Sequence, residues 1–265
     1  MISGAQRVAG VRIDPVDLGS AVEMIETAVK ERSPMQVATV NLDFLVRAQG
    51  SAELMTALGE SELNVADGMP VVWLSRLAGR SLPGRTAGSD LVPLALGRLA
   101  QTGARVFLLG GEGAVAAEAA TRLRSAYPGL VIAGHCEPPR SEIERMPNRS
   151  ILRLIELARA DVLLVALGNP KQDVWIARHR GMIGASVAIG VGCTLDLLAG
   201  RVARAPRWMQ DVGLEWLFRL VHEPRRLFRR YVLDVAWLAR FAAEIARDRW
   251  LRAVPFAAPA SAAER

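Results

Sequence analysis

The chain has 265 residues, 51% of them hydrophobic, which suits one large domain or one domain with an appendage. Its two cysteines argue against a disulfide framework, and residues 1–15 lack the apolar core of a signal peptide, so we expect a protein of the reducing cytoplasm. Because no run of about 18 uncharged apolar residues occurs, we expect no membrane-spanning helix.

The net charge of +6 is unevenly distributed along the chain. Residues 197–265 hold 13 of the 33 Lys and Arg but only 7 of the 27 Asp and Glu, so the whole excess falls in this last quarter. Four of the six tryptophans fall there as well, namely Trp208, Trp216, Trp237 and Trp250. We therefore predict a neutral α/β body over residues 1–200, a basic helical appendage over 201–252 and a disordered tail over 253–265.

Apolar periodicity predicts strands that alternate with helices along the body. In chain order we predict a helix over 16–32, a strand over 36–40, a helix over 44–58, a strand over 63–66, helices over 69–78 and 91–101, a strand over 105–109, a helix ending at 127, a strand over 130–133, a helix over 148–160, a strand over 162–167, a helix over 171–180 and a strand over 186–191. This alternation is typical of right-handed βαβ units, so the expected fold is α/β, a parallel Rossmann-like sheet with flanking helices.

Polar residues and glycines follow the carboxyl ends of most of these strands. In a parallel sheet those ends share one edge, which is where open α/β sheets bind ligands. The residues concerned are Thr39, Asn41, Asp67, Gly110, Gly111, Asn169, Gln172, Gly192 and Asp196.

The stretch 162–172 is the most informative of these strand ends. Its apolar run has the length and composition of a strand that is buried on both faces and stops at Gly168. Pro170 bars further ladder pairing and suits the first turn of a helix, so free backbone N–H groups and the Gln172 amide would face an anionic ligand. An ordinary strand-to-helix turn fits the same residues.

Asp67 and the pair formed by Arg85 and Asp90 each allow two interpretations. Asp67 is either the N-cap of the helix over 69–78 or a general base that takes a proton from a hydroxyl nucleophile. Arg85 and Asp90, with Gly88 between them, either anchor phosphate and orient a loop, or form a loop salt bridge and an N-cap.

Residues 111–116 fit the G-x-G-x-x-A fingerprint of dinucleotide-binding folds, which leaves an NAD(P)-dependent oxidoreductase as an alternative. The next strand should then end in an acid for the ribose, but it runs into Gly134, and Glu137 comes late. A turn that binds another phosphate, or that only packs tightly, is the preferred interpretation.

Several other kinds of site are not expected. There is no Asp-x-Asp sequence for a metal–diphosphate clamp, and the three histidines lack metal-ligand spacing, so we predict no metal. Neither a G-x-S-x-G elbow nor a Walker A sequence occurs. Cys193 is interpreted as a small core residue rather than a nucleophile.

The second helix of the appendage carries an apolar stripe flanked by arginines. Such a pattern favours an interfacial helix on anionic lipid, while a helix docked on the body with a solvated basic face remains an alternative. Nucleic acid is a less favoured partner because the body is neutral. The stripe consists of Leu227, Tyr231, Val235, Leu238, Ala242 and Ile245, and the arginines are Arg225, Arg226, Arg229, Arg230 and Arg240.

A set of short motifs, in order from about residue 11 to 231, resembles the WecG/TagA/CpsF glycosyltransferases. The motifs are Thr39-Val-Asn41, Ala66-Asp67-Gly68, Arg85-x-x-Gly88-x-Asp90, Leu109-Gly-Gly111, Gly168-Asn-Pro170-Lys-Gln172-Asp173, Gly190-Val-Gly192, Arg204-Ala-Pro206, Gly213-Leu-Glu-Trp216 and Glu223-Pro-Arg-Arg226.

This resemblance implies an inverting, metal-independent and cofactor-free transfer from a UDP-sugar to a polyprenyl-diphosphate-linked sugar. It also implies a peripheral protein on the inner face of the bacterial plasma membrane, in the synthesis of teichoic acid, capsule or exopolysaccharide. A homo-oligomer is compatible with it, and nucleic acid is not an expected partner.

The resemblance also assigns roles to individual residues. The candidate base falls on Asp67. The arginines of the family's membrane-docking appendage fall on Arg219, Arg226 and Arg229, which are expected to close the site and to take part in catalysis. Substrate contacts are expected from Thr39, Asn41, Gly68, Arg85, Asp90, Gly110, Gly111, Gly168, Pro170, Gln172, Gly190, Gly192 and Asp196, with Gln172 and Asp196 on the nucleotide side.

Three positions depart from the family pattern. Cys193 stands where glycine is usual, Leu195 where phenylalanine is common, and Asp173 where glutamate is more usual. We expect these departures to bear on how the donor sugar fits. A non-catalytic basic adaptor for membranes or nucleic acid remains a further alternative, in which the strand-end residues would be dispensable.

Overall fold

The protein is described by a computed structural model, which covers residues 4–211 and 213–253. Within them a parallel six-stranded sheet has the order β4-β3-β8-β7-β5-β6, and β1 and β2 pair as an antiparallel hairpin. The strands are β1 (Gln6–Val8), β2 (Val11–Ile13), β3 (Met35–Val40), β4 (Leu63–Ala66), β5 (Arg105–Gly110), β6 (Val131–Cys136), β7 (Val162–Ala166) and β8 (Val187–Gly190).

Helices cover both faces of this sheet, so the α/β prediction with flanking helices is confirmed. They are α1 (Leu18–Glu31), α2 (Leu42–Ala48), α3 (Ala52–Glu60), α4 (Met69–Leu77), α5 (Gly88–Leu99), α6 (Val115–Ala126), α7 (Asn148–Ala158), α8 (Lys171–His179), α9 (Thr194–Leu198), α10 (Arg207–Asp211), α11 (Glu215–His222) and α12 (Pro224–Ala253).

The residues of β7 divide between two hydrophobic cores, one on each face of the sheet. Leu163 and Val165 pack into one core, whereas Val162 and Leu164 pack into the other. All four are fully buried, as expected for a central parallel strand with helices on both sides.

Two predicted helices need correction, and one pair of strands was missed. The helix predicted over 44–58 is two helices, because helical structure is interrupted at Gly50. Ser51 then caps α3 by accepting a hydrogen bond from the Leu54 N–H at 3.1 Å. The helix predicted from residue 91 begins at Gly88, so Asp90 lies in its first turn and is not its N-cap. The hairpin of β1 and β2 was not predicted, since three-residue strands carry almost no periodic signal.

The appendage ends in α12, a helix of 30 residues that packs against α2 and α4. Leu227 is buried, and Leu238, Ala242 and Ile245 are partly buried, the last three against the core of the body. The docked-helix alternative therefore describes most of the predicted stripe, whereas Val235, predicted within it, is exposed. The predicted tail lies outside the described residues from position 254 onward, and Ala253 is helical.

None of the helices described in this structure is both long enough and apolar enough to cross a membrane.

Candidate active site

The predicted ligand edge is present in the fold, with neighbouring strands that end side by side. Val40 pairs with Ala66 across β3 and β4, and Asp67 follows directly, its N–H bonded to the Val40 carbonyl at 2.8 Å. Val165 pairs with Gly190 across β7 and β8. The loops after β3, β4, β7 and β8 therefore leave the sheet at the same edge.

Asp67 does not cap the helix that follows it. The N-cap of α4 is Gly68, at φ 126°, and no side chain among the described residues caps that helix end. The capping interpretation is wrong, and the carboxyl group is left for another role. Glycine suits position 68 because other residues rarely adopt this backbone conformation.

The carboxyl group of Asp67 has a perturbed acidity. Desolvation raises its pKa to about 6, since burial penalises the charged form. Glu215 raises the pKa further, whereas the positive charges of Arg219 and Arg85 and the Gly88 N–H act in the opposite direction. A carboxylate with this acidity can take up a proton near neutral pH.

A chain of alternating charges surrounds Asp67. Arg85 donates through Nη1 to Glu215 at 2.7 Å and through Nη2 to Asp90 at 3.2 Å. Asp90 also pairs with Arg204. The predicted pair of Arg85 and Asp90 is thus a salt bridge, and it continues into the appendage at both ends.

Arg219, on α11, extends into the space beside Asp67, which we call the cleft. Its Nη1 donates to Cys193 Sγ at 2.9 Å, and it interacts electrostatically with Asp67. Tyr231 on α12 lies next to these residues. Its ring meets the Trp216 ring edge-on, with 6.1 Å between the ring centroids. Cys193 is half-buried beside a guanidinium, which differs from the predicted small core residue.

Thr39 and Asn41 have structural partners in the folded chain. Thr39 is buried and its hydroxyl donates to the Gly190 carbonyl at 3.1 Å, which ties β3 to β8. Asn41 is the N-cap of α2 and accepts from the Phe44 N–H at 3.3 Å. Any substrate role for these two side chains remains a prediction.

The nucleotide side is built around Gln172, which is buried at the start of α8. A Cβ atom on Gly190 would lie 2.7 Å from Gln172 Nε2 and 2.7 Å from Asp173 Oδ1, so any larger residue there would displace these two side chains. Within residues 4–211 and 213–253 no donor hydrogen-bonds Gln172 Oε1, which lies 3.5 Å from where a Cβ of Gly192 would be. A buried acceptor without a donor is a candidate for contact with a ligand.

The turn ahead of Gln172 combines Gly168, at φ 82°, with a cis peptide bond between Asn169 and Pro170. The Gln172 N–H returns to the Gly168 carbonyl at 2.9 Å. Asn169 donates to Asp43 on α2 at 2.7 Å, a contact that the sequence did not indicate.

Asp173 is fully buried directly behind this edge. Neither of its carboxylate oxygens makes a hydrogen bond of regular geometry with the residues that the structure describes. Desolvation therefore raises the pKa of Asp173 to about 7, and contact with the Gln172 amide only partly offsets it.

The three predicted arginines are not equivalent. Arg219 lies in the cleft, as described above. Arg226 is exposed and pairs with Glu223 at 2.6 Å. Burial raises the pKa of Asp196, and the positive charge of Arg226 partly lowers it again. Arg229 is exposed, and no hydrogen bond or ion pair of its side chain occurs within residues 4–211 and 213–253.

The glycine turn after β5 serves close packing. A Cβ atom on Gly110 would collide with the Ala166 carbonyl oxygen, and one on Gly111 would lie 2.8 Å from Val115 Cβ. Substrate contact by these two glycines remains a prediction.

The amino end of α6, where a dinucleotide pyrophosphate would bind, is occupied by Glu137. Its carboxylate accepts from the N–H groups of Ala114 and Ala116, each at 2.8 Å. A second anion would meet this charge, so the oxidoreductase alternative loses its binding site. The sequence placed Glu137 too far beyond the strand for a ribose contact. In the structure its carboxylate binds the amino end of α6 instead.

Sequence reasoning missed an ionic junction between body and appendage, formed by two buried aspartates and two partly exposed arginines. Asp43 pairs with Arg47 at 3.0 Å and with Arg230 at 3.3 Å, and Arg230 lies 3.6 Å from Asp234. Only the i,i+4 spacing of its two within-helix pairs was visible in the sequence. Among the described residues no group of three or more His, Cys, Asp or Glu is placed to hold a metal ion.

The chain is similar to known proteins both as a member of a family and in pairwise comparison with two relatives. The model of the glycosyl transferase WecG/TagA/CpsF family matches residues 6–253. A relative from Bacillus subtilis (strain 168), named N-acetylglucosaminyldiphosphoundecaprenol N-acetyl-beta-D-mannosaminyltransferase, is 33% identical over 204 residues, which cover 75% of this chain and 78% of the relative. A relative of the same name from Bacillus spizizenii (strain ATCC 23059 / NRRL B-14472 / W23) is 32% identical over 218 residues, covering 81% and 83%.

Proposed function

Because the chain belongs to the WecG/TagA/CpsF family of glycosyltransferases, we propose that it moves a hexose, an N-acetylhexosamine or its uronic acid from a UDP-sugar to a polyprenyl-diphosphate-linked saccharide. Both Bacillus relatives are named for transfer of N-acetylmannosamine to N-acetylglucosaminyl-diphosphoundecaprenol, which supports a lipid-linked acceptor of this class.

The observation that carries this proposal is Asp67 at the ligand edge. Its carboxyl is not engaged in capping, has a pKa raised to about 6 by burial, and lies among arginines. As a general base it takes the proton of the acceptor hydroxyl. That oxygen attacks the anomeric carbon, the bond from this carbon to the diphosphate oxygen breaks, and UDP leaves with the bonding electrons, so the configuration inverts.

The negative charge that develops on the leaving diphosphate needs a positive counterpart. Arg219 and Arg85 both act electrostatically on Asp67. Arg226, beside Asp196, belongs to the nucleotide side. Preorganised guanidinium groups stabilise such a charge without a metal ion, so we propose metal-independent transfer.

UDP itself is assigned to the edge formed by residues 168–172 and 190–196. Backbone N–H groups at strand ends suit its two phosphates, and the unpartnered Gln172 Oε1 suits a donor group on the nucleotide. This edge lies beside Asp67 because β8 and β4 both neighbour β3.

The exposed face of α12 supports peripheral binding to an anionic membrane. Phe228, Val232 and Val235 are 62%, 51% and 51% exposed and recur at i, i+4 and i+7. Arg225 and Arg229 are exposed beside them. An apolar face flanked by arginines suits the interface of anionic lipid, where the lipid-linked acceptor would also reside.

A donor screen tests this function. The full chain is incubated with UDP-sugars, UDP-N-acetylmannosamine first, and a short-chain prenyl-diphosphate N-acetylglucosamine, and products are identified by mass spectrometry. We expect one donor to give a lipid-linked disaccharide and stoichiometric UDP. No product with any UDP-sugar, together with thermal stabilisation by NADH but not by UDP, would reject the proposal.

A further inference from the structure

Asp43 is a buried carboxylate where three chain segments meet. It lies in the first turn of α2, two residues after the N-cap Asn41, and is only 4% exposed. Its Oδ2 accepts from Asn169 Nδ2 at 2.7 Å. Its other partners are Arg47 Nε at 3.0 Å and Arg230 Nε at 3.3 Å.

Each partner belongs to a different part of the molecule. Asn169 lies in the turn between β7 and α8, three residues before Gln172. Arg230 comes from α12, the helix with the exposed apolar face, and Arg47 comes from α2 itself. No hydrogen bond to Asn169 Oδ1 occurs in the part of the chain that the structure describes, and the contact with Asp43 holds this amide through its Nδ2.

Docking of α12 changes the partners of Asp43. Asp43 and Asp234 are both 4% exposed and share Arg230, while Arg47 contacts Asp43. Without α12 the junction would lose Arg230 and Asp234 together, and Asp43 would be left with Arg47, Asn169 and water. The environment of the Asn169 contact therefore depends on the position of α12.

We propose that Asp43 is a positioning residue that couples the docking of α12 to the nucleotide edge. Through Asn169 it holds the turn over 168–170 and thereby the approach of Gln172 to the ligand. The inference rests on the proposed function, because it assigns UDP to that edge. Coupling of this kind is reciprocal, so UDP stabilises the docked helix as much as the docked helix favours UDP.

Hydrogen exchange without ligand tests the junction itself. In Arg230→Met we expect faster exchange of the amides over 168–172, and in the matched control Arg240→Met, on an exposed part of the same helix, no change. Unchanged exchange over 168–172 in Arg230→Met would overturn the coupling whether or not UDP is a ligand.

Calorimetric titration with UDP, without membranes, tests the consequence. We expect Asp43→Asn and Arg230→Met each to weaken UDP binding by about tenfold, which is within the range of coupling energies between members of one salt-bridge network. The double variant should be no weaker than the worse single variant, because both changes break one junction. Wild-type affinity in both single variants would overturn the inference, whereas no UDP binding by the wild type would overturn the proposed function.

Saturating UDP provides the reciprocal measurement. UDP should slow amide exchange in α12 of the wild type and of Arg240→Met, and this protection should disappear in Arg230→Met. Should Asp43→Asn fail to fold, Arg230→Met carries the test alone, because its side chain is 37% exposed and its replacement leaves the core intact. Equal protection in both arginine variants would contradict the coupling.

Discussion

Glu215, the first residue of α11, accepts a hydrogen bond from Arg85 at 2.7 Å, across 130 residues of chain. The same guanidinium holds Asp90 of the body at 3.2 Å. Residues of the body and residues of the appendage therefore both surround Asp67, and the appendage contributes to the cleft as well as to the surface. Substitutions in α11 and in the body should accordingly affect the same chemical step.

Replacing Asp67 by asparagine should abolish transfer while UDP binding is retained. Asparagine has nearly the same shape but cannot take the acceptor proton, so we expect kcat to fall by about 10²- to 10⁴-fold. Asp196→Asn is the matched comparison, an isosteric change on the nucleotide side that should mainly raise the KM for the donor. Measured kcat close to wild type in Asp67→Asn would remove the base assignment.

The pH dependence of kcat/KM should report the acidity of Asp67. Its pKa is raised to about 6, and a base must be ionised to act, so activity should fall tenfold per pH unit below that value. Glu215→Gln removes a negative charge that raises this pKa, and the midpoint should shift to lower pH. A midpoint near 4 in the wild type, or an upward shift in Glu215→Gln, would contradict this assignment.

Chelation should leave turnover unchanged. Arg219, Arg85 and Arg226 are proposed to carry the charge compensation for the leaving diphosphate, so millimolar EDTA should reduce the initial rate by less than about twofold. The control is Arg219→Ala, which should lose most activity with or without added Mg²⁺. Full inhibition by EDTA and recovery with Mg²⁺ would show that a metal ion takes part.

The fold was predictable where burial dominates the pattern. A strand packed on both faces, such as β7, must be apolar throughout, and residues 162–165 are. The helix break at Gly50 and the early start of α5 were not predictable from periodicity. Both depend on which local N–H groups find acceptors, as Ser51 shows for α3.

The site was predictable only to the extent that topology fixes it. Parallel strands share an edge, so Asp67 and Gln172 could be placed together from the sequence. The partners of Arg85, Asp43 and Glu137 could not, because pairing between distant charges leaves no periodic signal. Glu137 illustrates this, since its carboxylate fills the helix end that the glycine fingerprint had offered to a phosphate.

Asp173→Asn should stabilise the protein at alkaline pH and flatten its pH dependence. The pKa of Asp173 is raised by burial to about 7, above its value in the unfolded chain, so its ionisation opposes folding and stability falls as pH rises from about 4 to 7.

Urea unfolding at pH 5.5 and 8 provides the measurement. At pH 8 we expect Asp173→Asn to gain about 1–3 kcal/mol over the wild type, with a smaller gain at pH 5.5. Asp248→Asn, an exposed change on α12, is the control and should shift neither value. Loss of stability in Asp173→Asn at pH 8 would mean that the buried carboxylate is satisfied as it stands.

Membrane binding should depend on the exposed face of α12 and not on exposed apolar residues in general. The double variant Phe228→Ser with Val232→Ser should reduce pelleting with liposomes of anionic lipid by about tenfold or more, because both side chains would lose their apolar contact with the bilayer. Leu154→Ser with Leu157→Ser, a matched pair 46% and 61% exposed on α7, should pellet like the wild type.

Point variants are preferable to removal of residues 200–265, which would also take away Glu215 and Arg219 and uncover the core beneath α12. Transfer to a short-chain, water-soluble acceptor should remain close to wild type in the Phe228/Val232 variant, since neither side chain lies in the cleft. Raising the salt concentration should weaken pelleting of the wild type, as expected for arginines on anionic lipid. Equal pelleting of both double variants would show that the α12 face is not the membrane contact.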